Sequence, residues 1–320
     1  MLIAAGTAGL LGWTAWSYLG PGPRSAQDAA TDVVLTSGGG LKGVAVALGE
    51  AHVVGSPAEF MVAALVTGSA HRLKAGEYEF RSGESLAEVL TAIRRGEVVR
   101  HQVTIPEGFT SREAVSVLNR VDYLDGAVTV PPEGALLPET YEVRRGETRA
   151  AVMRRMMDAR EKVLEPLWRS RSPGLPLANP EQAVVLASVV EKETARPDER
   201  PRIASVFVNR LRKGMRLESD PTVIYAVSGG APLGHGLRVS ELALRSPYNT
   251  YLFGGLPPTP IANPGRAALA AVLRPAPTDD LFFVADGAGG HVFAATFEAH
   301  KRNVARWRSV EAARGAEKAP

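Results

Sequence analysis

The sequence predicts an α+β protein behind an N-terminal transmembrane helix. Three observations carry that expectation. Residues 1–23 contain no charged side chain, and Leu2–Leu19 is about the length a helix needs to cross a bilayer. Short apolar runs ending in glycine turns lead into helix-periodic stretches, at Val33–Leu48 and again at Val103–Leu118. Near the C-terminus, Leu281–Ala285 and His291–Ala295 flank the turn Asp286–Gly290, as in a hairpin, and Thr296 then caps a final helix.

Composition narrows the chemistry. A chain of 320 residues accommodates a membrane segment and two modest domains. The net charge of +3 comes from a slight excess of basic residues, which suits an anionic polymer only weakly, and nucleic acid is not an expected partner. With no cysteine, thiol catalysis, disulfides and a lipidated N-terminal cysteine are excluded.

In chain order, residues 1–20 read as the anchor. Trp13, Trp16 and Tyr18 sit at its far end, where interfacial aromatics belong. A cleavable signal peptide is the alternative, disfavoured because no small-x-small site follows the apolar run. Residues 21–30, rich in Gly and Pro at their start, form a linker. Residues 31–100 hold a strand at Val33–Leu35, helices at Leu41–Leu48 and Pro57–Val66, and a strand at Leu73–Phe80. This β-α-α-β order resembles a LysM module, a glycan-binding unit of cell-wall proteins; a small subdomain that binds nothing is the alternative. Ser85–Arg94 is a helix with Leu86, Val89, Leu90 and Ile93 on one face, ended by Gly96.

Residues 101–315 form a mixed α/β domain with a C-terminal hairpin and helix, and residues 316–320 a tail. Leu137–Tyr141 reads as a Pro-bearing loop, and Glu147–Leu167 as a charged helix lying over the core as a solvated lid. Asn179 and Pro180 open a helix running to Thr194, with Gln182 three residues past Asn179 as in a capping box. The run Ala183–Val190 is apolar nearly all round, so this helix is buried. Glu191 ends the run on a face shared with Val184, Ala187 and Ser188; desolvation there raises a carboxyl pKa, as a general acid requires. The alternative is a carboxylate at a solvent-facing helix end, paired with Lys192 or Arg196. Helices follow at Ile203–Arg212 and Thr222–Val227. The Gly-, Pro- and Ser-rich stretch 228–265 is a long loop, and Asn263-Pro264 caps a helix over Gly265–Leu273.

The blocks ASVVEKET, VFVNRLRKGMRLESDPTVIY, SPYNTY, GLPPTPIANPG and LFFVADGAGGHVF occur in this order, preceded by LKAGEYEF, VTIPEGFT and LLPETY. Together they closely resemble the endolytic murein transglycosylases of the YceG-like family. The resemblance implies a lytic transglycosylase, a carbon–oxygen lyase that cuts the MurNAc–GlcNAc β-1,4 bond of peptidoglycan and leaves a 1,6-anhydroMurNAc end. It implies no cofactor, with Glu191 as the catalytic residue. It further implies a single-pass protein of the inner (cytoplasmic) membrane, with residues 2–19 as anchor, the catalytic domain on the extracytoplasmic side, and peptidoglycan glycan strands and peptidoglycan synthases as partners.

Other side chains are candidates for substrate binding. Glu193 lies about 200° round the helix from Glu191, so the two do not form a close dyad; it is expected to hold Arg196, Arg200 or a backbone amide. Asp220 is a helix N-cap, or a group that fixes Arg216 or touches sugar hydroxyls. Asn209 binds the N-acetyl or peptide part of the substrate or ties its helix to a loop. Tyr248, Asn249 and Tyr251 suit stacking on sugars or packing of their own loop. His291 and His300 lack a metal-ligand spacing, and no metal is expected. Two rival functions are a lysozyme-like hydrolase using Glu191 with Asp220, and a non-catalytic LysM-type wall-binding scaffold. A pyridoxal-phosphate lyase would need Lys192 in a cofactor cleft with a phosphate cradle, which the sequence lacks.

Overall fold

The computed structural model describes residues 15–25, 29–36 and 38–317, with side chains to residue 312. The chain divides into two compact units. The first holds the described residues up to Val103 together with Asp122–Asp125 and Glu142–Thr148; the second holds Thr104–Val121, Gly126–Tyr141 and the chain from Arg149 onward.

In the first unit, β1 (Thr31–Leu35) pairs antiparallel with β2 (Gly76–Phe80), Val33 lying opposite Tyr78. Between them run α1 (Gly40–Glu50) and α2 (Pro57–Val66); α3 (Leu86–Arg95) follows. Period-2 alternation turns Val33 and Leu35 inward and leaves Val34 exposed. Local signals set the helix ends. Ser56 accepts from the Glu59 amide ahead of Pro57, Ser85 and Glu88 form a reciprocal capping box, and Gly96 takes the left-handed conformation after α3. Leu48, Phe60, Tyr78, Phe80 and Ile93 fill the core.

β3 (His101–Thr104) pairs with β4 (Thr140–Val143), and the chain passes from one unit to the other along both strands. The second unit contains α4 (Ser111–Asn119), α5 (Arg149–Arg169), α6 (Pro180–Glu193), α7 (Arg200–Arg212), α8 (Asp220–Ser228), the short α9 (Val239–Leu242) and α10 (Arg266–Leu273). It ends with the antiparallel hairpin β5 (Phe282–Ala285) and β6 (His291–Ala294) and then α11 (Phe297–Glu317). Helix α6 is its axis: every residue from Ala183 to Glu191 is buried. It packs against α7 and the alanine-rich α10, with Leu186, Val190, Phe207, Leu269 and Val272 in one cluster. Burying each large aliphatic side chain contributes about 1.5–3 kcal/mol.

Several expectations are corrected. Among the described residues no helix is long and apolar enough to cross a membrane, so the transmembrane element of the expected fold class is not borne out; the α+β part stands. Of the 2–19 segment, residues 2–14, including Trp13, lie outside the described residues, and residues 15–19 are helical. Thr140–Val143, within and beyond the expected Pro-bearing loop, is strand. Helix α5 is more than a lid: Val152, Met156, Val163 and Leu164 are buried beneath it. The last helix continues past Ala313 to Glu317, and residues 318–320 lie outside the described residues.

Candidate active site

The site is built on the C-terminal turn of α6. Asn179 fixes the start of that helix by accepting from the Gln182 amide at 2.9 Å, with Pro180 in the first helical position. The cap is not reciprocal: the Gln182 side chain accepts from Ala178 N instead of Asn179 N. At the other end the helix stops at Glu193, and Thr194 is extended.

Glu191 is enclosed, with its side chain 4% exposed. Its Oε1 accepts from Arg200 Nη2 at 3.0 Å and its Oε2 from the Gly265 amide at 2.8 Å. Gly265 is the N-cap of α10, so this carboxylate sits at the positive end of that helix. The expected Asn263-Pro264 cap does not form. Asn263 is buried, accepts from Leu136 N, and donates to Phe109 O and Ser111 Oγ. Burial pushes the Glu191 carboxyl above its usual range; the Gly265 amide and Arg200 oppose the shift and Glu107 adds to it.

Glu107 joins this group from the turn after β3, with its Oε2 3.3 Å from Arg200 Nη2. The approach is close. A Cβ on Gly265 would lie 1.8 Å from Glu107 Oε1, and Gly108, beside Glu191, holds a φ of +76°, a left-handed conformation that favours glycine. Lys192 points out and donates to Gly108 O at 3.3 Å.

Glu193 faces another way, as the helical rotation requires, and its partners differ from those expected. Ser219 Oγ donates to Glu193 Oε1, while Arg200 goes to Glu191 and Arg196 to Asp198. Ser219 is itself fixed: its amide donates to Thr250 Oγ1 at 3.0 Å and its carbonyl accepts from Thr222 Oγ1. The preceding Glu218 holds a positive φ of 51°, an uncommon conformation for a non-glycine residue. Arg210 braces that segment by donating to Leu217 O at 2.8 Å and to Glu218 Oε2 at 3.1 Å. Beside Ser219, Asp220 Oδ1 accepts from Tyr251 OH at 2.7 Å. Burial pushes the Glu193 carboxyl up to about 7; Ser219 and Arg210 oppose this and the Asp220 charge adds to it. Glu193 is nonetheless only half-buried by surface area. Crowded by protein atoms yet reached by solvent, it can release a proton and recover it at neutral pH.

Of the remaining candidates, Asp220 and Tyr251 join this group and the others do not. Asn209 spends its amide hydrogens on Thr278 O and Asp280 O, tying α7 to the segment before the hairpin. Asn249 is fully buried and donates to Leu242 O and Leu244 O, organising its own loop. Tyr248 packs on Tyr225 with ring centres 5.0 Å apart and bonds Thr259. Among the described residues no group of three or more His, Cys, Asp or Glu side chains could hold a metal ion. Sequence reasoning passed over Ser219, Glu107 and Gly265, and it gave Arg200 to Glu193 where the structure gives it to Glu191. Ser219, Glu107 and Gly265 lie inside the family-like blocks, where PEG and NPG signal tight backbone turns.

An α+β unit whose buried central helix ends in two carboxyls that burial pushes upward, Glu193 to about 7, has the layout of an acid–base enzyme. Residues 33–306 match the profile of the YceG-like family, and the chain belongs to that family. An endolytic murein transglycosylase of Streptococcus pneumoniae serotype 2 (strain D39) is 30% identical over 283 residues, 73% of this chain and 50% of that protein. One from Bacillus subtilis (strain 168) is 27% identical over 305 residues, 85% of this chain and 83% of its own length. The chain thus spans half the length of the pneumococcal relative and most of the other. A crystal structure of a yceG-like protein from Listeria monocytogenes superposes with a TM-score of 0.54 at 25% identity, covering 87% of this chain and 99% of that one.

Proposed function

We propose that this protein is an endolytic murein transglycosylase that cuts the MurNAc–GlcNAc bond without water and leaves a 1,6-anhydroMurNAc end. Membership of the YceG-like family and the activity carried in the names of its relatives support the substrate class. A cut within nascent strands would trim or terminate them, and peptidoglycan places the reaction outside the cytoplasm.

The sequence points to Glu191 as the acid, but the geometry favours Glu193. The observation that carries this is the contrast between the two carboxyls. Glu191 is enclosed, with both oxygens committed to Arg200 and Gly265. Glu193 keeps solvent access, titrates near neutrality, and lies in the group formed by Ser219, Asp220 and Tyr251. In this reading the protonated Glu193 gives its proton to the glycosidic oxygen as positive charge develops at C1 of the muramic acid. The resulting carboxylate takes the proton of that sugar's 6-hydroxyl, whose oxygen closes on C1. The acid is thereby regenerated and no water is consumed.

Glu193→Gln preserves size and hydrogen bonding but cannot supply the proton, so glycan cleavage should fall by about 10²–10⁴-fold with the fold intact. Near-wild-type cleavage by that variant would remove Glu193 from the role. A second reading, a lysozyme-like hydrolase, draws on Asp220, whose charge is felt at Glu193 and could back a water attack. Incorporation of solvent oxygen at the new reducing end would favour it.

A further inference from the structure

An ionic clasp, buried at Glu191 and Arg200 and exposed at Glu107, ties down the end of α6. Arg200 Nη2 reaches Glu191 Oε1 at 3.0 Å and Glu107 Oε2 at 3.3 Å, and the second Glu191 oxygen takes the Gly265 amide at 2.8 Å. The clasp joins the last turn of α6, the first residue of α7, the turn at Pro106–Gly108 and the start of α10. The side chains of Glu191 and Arg200 are 4% and 10% exposed, too enclosed to meet a glycan strand. Gly265 leaves the space that lets the Glu107 carboxyl close over it.

A buried ion pair adds little net stability, because desolvation offsets the attraction. What it does supply is a fixed geometry, since a buried charge that leaves its partner is heavily penalised. The element it fixes matters. Glu193 is the last residue of α6, two positions past Glu191, and a helix end frays unless its final turn is tied. Among the described residues, the Glu193 carboxyl is held by the Ser219 hydroxyl.

We infer that Glu191 and Arg200 are positioning residues: their clasp with Glu107 and Gly265 holds the last turn of α6 so that Glu193 reaches the glycosidic oxygen. This rests on the reading of Glu193 as the acid. Displacing a reacting group by about 1 Å can cost about 100-fold in rate.

The test compares kcat, KM and pH profiles of full-length wild-type, Glu191→Gln, Arg200→Met, Arg200→Lys and Glu193→Gln proteins on purified glycan strands, with thermal melting to confirm folding. Glu191→Gln should lower kcat about 10–100-fold, with KM near wild type and the alkaline limb of the profile still present. Arg200→Lys should recover part of the activity lost in Arg200→Met. If Arg200→Met does not fold, Glu191→Gln and Arg200→Lys still decide. Wild-type kcat in Glu191→Gln beside an inactive Glu193→Gln overturns the positioning role and leaves the acid assignment standing. An inactive Glu191→Gln that has lost the limb, beside an active Glu193→Gln, overturns the acid assignment itself.

Discussion

At the scale of single residues, two carboxyls two positions apart meet different surroundings: Glu191 is enclosed by Arg200 and Gly265, and Glu193 meets Ser219. Glu193 is pushed up to about 7, chiefly by burial, and the Ser219 hydroxyl works against that shift by stabilising the carboxylate. Ser219→Ala should therefore move the Glu193 pKa higher. Because the proton donor must be protonated, the alkaline limb of the kcat profile should move to higher pH, and an unmoved limb would contradict the contact. The same shift sets a stability dependence. A carboxyl whose folded pKa exceeds its unfolded value of about 4.5 favours folding fully below that value. The contribution is lost as pH rises through about 7. The loss is on the order of 3 kcal/mol for a shift of this size. Wild type should weaken between pH 5 and pH 8 by more than Glu193→Gln does. Denaturant titrations of both at the two pH values measure the difference, and equal losses would contradict it.

The burial of Glu191 is legible in the sequence, because an unbroken apolar run runs up to it. Its partners are not. Arg200 and Gly265 lie nine and 74 residues further on, and no local periodicity reports a contact of that separation. Ser219 is hidden for the same reason, 26 residues from Glu193.

At the scale of elements, helices with strong end signals are the most legible. Ser56 with Pro57, Ser85 with Glu88 and Asn179 with Pro180 each announce a helix start, and each caps one. The start of α10 is different, because its amide is met by Glu191 from another helix while Asn263 turns away. Strand β4 is hard to see because it is short, follows Pro138, and exists through its pairing with β3 rather than through its own pattern. The stretch 228–265 is a loop as expected except at the short α9, and Asn249 is spent inside it, since its amide group is what holds the turn together.

One element-level prediction concerns the entry to α10. In Gly265→Ala the new methyl would meet the Glu107 carboxyl at 1.8 Å, so Glu107 must leave Arg200. Loss of that charged hydrogen bond should cost about 1–3 kcal/mol in a denaturant titration. Unchanged stability would show that Glu107 adjusts without leaving its partner.

At the scale of the whole molecule, the recurring blocks fall in both units, which is why the family profile runs from residue 33 to residue 306. The β-α-α-β order of the first unit is readable from its alternating strands and capped helices, and its two strands pair antiparallel. The transmembrane expectation is not borne out among the described residues: absence of charge over residues 2–19 says only what a segment could tolerate, and residues 2–14 lie outside the described residues.

The central claim is that Glu193 drives a cleavage in which the sugar's own hydroxyl, not water, attacks. The most direct test digests purified glycan strands in ¹⁸O-labelled water and reads the new ends by mass spectrometry. The account predicts anhydro ends, lighter by one water and free of label, with wild type, and none above background with Glu193→Gln. Labelled reducing ends from wild type, or anhydro ends at wild-type rate from Glu193→Gln, would contradict it.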